Sequence, residues 1–79
     1  MTKNELKNRI ATALQVDPSE LQDNSNPKTI IEWDSVGALN ILSALDEITN
    51  GDVSPTDAQG FVNYAGIVEF MQRKGLLTE

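Results

Sequence analysis

Between Asp34 and Gly51 the chain reads DSVGALNILSALDEITNG, and its apolar residues recur with a helical period. Ala38, Ile41, Leu42, Leu45 and Ile48 fall at i, i+3, i+4, i+7 and i+10, which lines them along one side of an α-helix. Gly37, Asn40, Ser43 and Glu47 fall on the other side. A strand would need alternation in twos, and there is none. Asp34 fits the N-cap, where its carboxylate accepts from free N–H groups of the first turn. Asn50-Gly51 fits the stop. The spacing therefore predicts a helix over 35–49 with one buried stripe, Ala38 and Leu42 included.

That helix needs partners, and the rest of the chain supplies them. Thr2 and Glu5 have capping-box spacing ahead of a predicted helix over 3–15, with Leu6, Ile10, Ala13 and Leu14 as its stripe. Ser54, Pro55 and Asp57 open a third helix that Gly60 cuts short. Asn63 caps a fourth over 64–74, with Tyr64, Ile67, Val68 and Met71 on one face. Arg73 and Lys74 suit its C-terminal dipole, and Gly75 stops it. Residues 16–33, broken by Pro18, Pro27 and the polar DNSN stretch, read as a long loop. Its apolar residues Val16, Leu21, Ile30, Ile31 and Trp33 are expected to anchor it to the core. No segment reads as a strand. The expected architecture is all-α: one domain over 1–79, a small four-helix bundle with three main helices, a short one and a long first loop.

Size and charge narrow the function classes. A chain of 79 residues fits one core without a deep cleft beside it, which disfavours a self-contained enzyme. With 12 acidic and 6 basic residues, the net charge of −6 opposes binding to nucleic acid or to anionic membranes. Acidity of this kind either complements a basic protein partner or simply keeps a small domain soluble. There is no Cys and no His, so there is no disulfide framework, no thiolate metal site and no usual partner for a nucleophilic Ser. No signal-peptide core and no apolar run of spanning length is present. A cytoplasmic monomer without catalytic or metal-binding residues is the expectation.

Two residues admit a functional account beside the structural one. Ser35 follows a residue that already serves as cap, which leaves its hydroxyl free to face water. A free hydroxyl at a helix N-terminus is well placed to carry a phosphate, because the dipole and unpaired N–H groups favour an anion there by about 0.3–1 kcal/mol. Val36 falls among polar residues on the wheel. A lone exposed Val is ordinary, and packing under the loop would also account for it. The functional alternative is that Ser35 and Val36 form a recognition spot.

The stretch WDSVGALNILSALDEI resembles the Asp-Ser-Leu attachment motif of acyl carrier proteins. A bare D-S-[LV] is common. Here it opens an amphipathic helix in an acidic chain with the family's helix layout, and the likeness extends through LDEI to GIVEFM. The resemblance implies that Ser35 receives 4′-phosphopantetheine from coenzyme A and carries acyl groups as thioesters on that arm's thiol. It implies a phosphopantetheinyl transferase as partner, and acyl-loading and acyl-processing enzymes with basic docking patches. Asp34 then meets the modifying enzyme as well as capping the helix, and Val36 stands where the family usually has an exposed docking Leu. Asp46 and Glu47 match acidic docking positions. Asn40 is partner-facing but, like Gly37, stands where the family often has an acid. Ser43 and the bulky Trp33 also depart from the usual pattern, in the manner of stand-alone carriers of specialised pathways. An aminoacyl or peptidyl carrier shares fold and site, and an unmodified helical docking module is the alternative from another class. The small residues Ala38, Ala44 and Gly66 fit tight packing of helices 2 and 4, or alternatively a slot for an acyl chain.

Overall fold

The first helix is set at both ends by local bonds. In the computed structural model, which describes residues 1–78, α1 spans Lys3–Leu14. Thr2 Oγ1 accepts from the Glu5 N–H at 3.1 Å, and Glu5 Oε1 accepts from the Thr2 N–H at 2.9 Å, a closed capping box. Gln15, left-handed at φ 59°, ends the helix one residue before the predicted limit. Leu6, Ile10, Ala11 and Leu14 are buried; Ala13, expected in the stripe, is only partly so.

The long connection is pinned rather than loose. It contains one 3-10 turn, Pro18–Glu20, capped by Asp17. Leu21, Ile30 and Trp33 are buried anchors, and Val16 packs against the core from its edge. Ser25, buried in this loop, accepts from the Gln22 N–H on its hydroxyl at 2.8 Å. Its carbonyl accepts from the Tyr64 N–H at 2.9 Å, which fastens the loop to the start of the last helix. Ile31 departs from expectation: it is 90% exposed. A tight turn in which the Trp33 N–H bonds the Ile30 carbonyl at 3.0 Å sends Ile30 and Trp33 inward and Ile31 outward.

Helix α2 spans Ser35–Ile48 and ends with Thr49, Asn50 and Gly51. The Gly51 N–H reaches the Asp46 carbonyl at 2.8 Å and the Asn50 N–H the Glu47 carbonyl at 3.3 Å, a Schellman motif with Asn50 in the left-handed position at φ 55°. The short α3, Pro55–Gln59, has its own capping box between Ser54 and Asp57. Helix α4, Tyr64–Arg73, starts where Asn63 Oδ1 accepts from the Gly66 N–H at 2.7 Å. Gly75, at φ 69°, follows its end. Lys74 Nζ ties this end to Asp52 at 3.1 Å.

Leu6, Ile10, Leu21, Ile41, Leu45, Ile67, Phe70 and Met71 form the sealed centre. The all-α bundle expected from the sequence is the architecture found, with a radius of gyration of 11.2 Å. Among the described residues there is no strand, and no group of His, Cys, Asp and Glu side chains placed to hold a metal. No described helix is long and apolar enough to cross a membrane.

Three cap carboxylates carry a pH signature. Glu5 is held below its ordinary pKa first by the Thr2 backbone N–H, then by the Thr2 hydroxyl. Asp17 is lowered chiefly by the Ser19 backbone N–H. Asp57 is lowered chiefly by the Ser54 backbone N–H, and the Lys74 and Arg73 charges add to it. A folded pKa below the unfolded one contributes stability that is present above the unfolded value and lost as pH falls through the folded one. Melting temperature is therefore expected to stay level from about pH 7 to about pH 5 and to drop below about pH 4. Asp57→Asn is expected to shallow that acid limb; an unchanged limb would remove Asp57 from the account.

Candidate functional site

Trp33, 3% exposed, fixes the chain two residues before Ser35. The turn it ends lies directly against the first turn of α2. A Cβ added at Gly37 would overlap the Glu32 carbonyl oxygen and come within 2.9 Å of Leu14 Cδ2. Gly37 is accordingly buried, and its expected place on the solvent side is corrected. This close backbone approach sets the roll of the helix. The inward face is Gly37, Ile41, Ala44 and Leu45; Leu42 is half-buried, and Ala38, expected inside, is exposed. The slot residues do not converge: Ala38 faces outward, and Gly66 lies against the Gly60 carbonyl.

Asp34 does the capping expected of it. Its Oδ1 accepts from the Gly37 N–H at 2.9 Å, and its carbonyl accepts from the Ala38 N–H at 2.8 Å. Ser35 is exposed at the first helical position, and no hydrogen bond within the described residues engages its hydroxyl. Val36 is exposed as expected, at 64%. Asn40 is also exposed, and with Ala13, Gln15, Glu32 and Val36 it lines a cleft of about 180 Å³ between the end of α1 and the start of α2.

The acidic pair sits apart from this group. Asp46 and Glu47 lie at the last turn of α2, roughly 17 Å along the axis from Ser35 at 1.5 Å per residue. Both are exposed, but Glu47 is engaged: its Oε2 meets Arg9 Nη2 of α1 at 3.0 Å. An exposed pair of this kind contributes at most about 1 kcal/mol, yet it turns the carboxylate toward α1 and offsets its charge.

Sequence reasoning passed over Leu39, which is 63% exposed. The signal was present: it lies outside the apolar stripe and one turn beyond Ser35 on the same side. Two larger hollows lie elsewhere. One of about 520 Å³ between α2 and α3 is lined by Leu42, Asp46, Val53, Pro55 and Ala58. The other, about 640 Å³, lies between α1 and α4, where burial, and secondarily Asp23, raises the Tyr64 hydroxyl pKa.

Family models gave no match to this chain, and neither did searches of curated proteins and of solved structures.

Proposed function

We propose that the chain is a carrier protein of the acyl carrier type, with 4′-phosphopantetheine attached to Ser35. The observation that supports this best is the division of labour at the start of α2. Asp34 takes the cap and leaves the Ser35 hydroxyl exposed, with no hydrogen-bond partner among the described residues. The residues present fit the group: the site is open to solvent, and the helix N-terminus favours the negative phosphodiester. When attached, the arm supplies a thiol that holds acyl groups as thioesters for other enzymes. The chain's own part is to present that anchor on a rigid turn. Trp33 and the Glu32–Gly37 contact fix the turn, and Val36 offers an apolar contact beside it. The partners on this reading are a phosphopantetheinyl transferase and the enzymes that load and process the acyl group.

The test is an intact mass. The protein is incubated with coenzyme A, Mg²⁺ and a broad-specificity phosphopantetheinyl transferase, with an established carrier as positive control. A gain of one phosphopantetheine is the expected result. A folded protein that gains nothing while the control is modified would turn the reading to a helical docking module with an unmodified Ser35.

A further inference from the structure

The face of α2 that follows Ser35 is short of charge and rich in exposed carbon. From Ser35 through Leu45, α2 carries no charged residue, and its first turn has no acid. Val36 and Leu39 are 64% and 63% exposed, and Ile31, in the turn that delivers the chain to Asp34, is 90% exposed. Single exposed apolar residues are ordinary. Here Val36 and Leu39 are neighbours at i and i+3 on one helix, and Ile31 is exposed in the turn just before it, so three large apolar side chains accompany a single hydroxyl within nine residues of chain. Leu39 is at i+4 from Ser35, so the two side chains are neighbours on one helix face. A protein that closes on the Ser35 oxygen from this face of the helix covers Leu39 as well. Two exposed acids do flank the site, Asp34 and Glu32, but Asp34 is engaged as the cap of α2. The acids of the helix itself are at its far end, and one of them, Glu47, is paired with Arg9.

We propose that enzymes acting at Ser35 dock through an apolar cleft that receives Ile31, Val36 and Leu39, with ionic attraction a minor contributor. This rests on the reading of Ser35 as the attachment site and specifies the partner's chemistry: an apolar recess rather than a row of Lys and Arg. Apolar burial is insensitive to moderate salt, whereas an interface made of exposed charges weakens as screening shortens its reach.

The experiment measures the efficiency of Ser35 modification by the transferase from about 0.05 to about 0.4 M NaCl, for the parent and for Leu39→Asn. That substitution removes the apolar contact without adding charge, and circular dichroism checks the fold. Leu39→Asn is expected to lower the efficiency by about tenfold or more, the loss of one well-buried contact. Salt is expected to change the parent's efficiency by less than about threefold. A steep fall with salt, or a loss with Asp46→Asn but none with Leu39→Asn, would overturn the proposal. A second readout separates docking from attachment. The Ser35→Ala protein, which has no hydroxyl to modify, is expected to compete with an established carrier for the transferase, and Ser35→Ala with Leu39→Asn is not. Competition by Ser35→Ala, lost with Leu39→Asn, when the parent gains no arm, would support the docking surface and reject the attachment role. Modification with undiminished competition by the double variant would reject the docking surface alone, and neither modification nor competition would reject both. A parent that dimerises in sedimentation, and becomes monomeric with Leu39→Asn, would make a second copy the occupant and overturn the proposal.

Discussion

Ser35→Ala is expected to accept no phosphopantetheine at all and to melt within about 3 °C of the parent. The first half follows from chemistry, because Ala offers no oxygen to form the phosphodiester. The second half follows from the structure. The Ser35 side chain is exposed, and the cap of α2 belongs to Asp34, whose bond to the Gly37 N–H is untouched. Exposed substitutions away from caps and core change stability by about 0.5 kcal/mol or less. For 79 residues the unfolding entropy is roughly 170 cal/mol/K, so that change moves the melting temperature by about 3 °C. Intact mass and thermal circular dichroism on the same sample check both halves. A variant that still gains the arm would place attachment on another hydroxyl, and one that melts far lower would give Ser35 a structural role the hydrogen bonds do not contain.

Phe70→Ala is expected to produce the largest loss of stability, about 3–5 kcal/mol. Phe70 is fully buried at the centre of the core. Phe61 meets it edge-on, with ring centroids 5.0 Å apart and planes at 78°, and Lys74 Nζ lies 5.7 Å from its centroid. Removing the ring would leave a cavity lined by residues of a sealed cluster and would loosen Phe61, on which the segment after α3 rests. A domain of this length has a total stability of roughly 4–12 kcal/mol, so the variant is expected to be at the edge of unfolding near room temperature. Urea titration of parent and variant measures the difference directly. A loss below about 1 kcal/mol would mean that the core closes over the missing ring.

The helices were legible because their signals are local. Thr2–Glu5, Ser54–Asp57, Asp34 and Asn63 each act within three residues, and the structure contains all four caps. What the sequence concealed depends on contacts between distant segments. Gly37 looks like a solvent-side residue until the Glu32 carbonyl and Leu14 press against it, and that contact decides which way Ala38 faces. Ile30 and Ile31 are alike in hydropathy, and only the turn geometry separates the inward one from the outward one. Glu47 reads as a free acid because Arg9 is 38 residues away in sequence. The candidate site was legible at Asp34, Ser35 and Val36, where cap geometry governs, and less so at Leu39, where the roll of the helix governs.

Trp33 is the single tryptophan of the chain, and it is buried two residues ahead of Ser35. The protein thus contains its own optical reporter at the base of the candidate site. A partner that settles on the surface of α2 without disturbing the turn leaves the indole in its apolar surroundings and its emission in place. An event that pulls residues 30–34 away from the core exposes the ring to water and shifts the emission to the red. Intrinsic fluorescence therefore distinguishes rigid docking from a rearrangement of the loop, with no label attached.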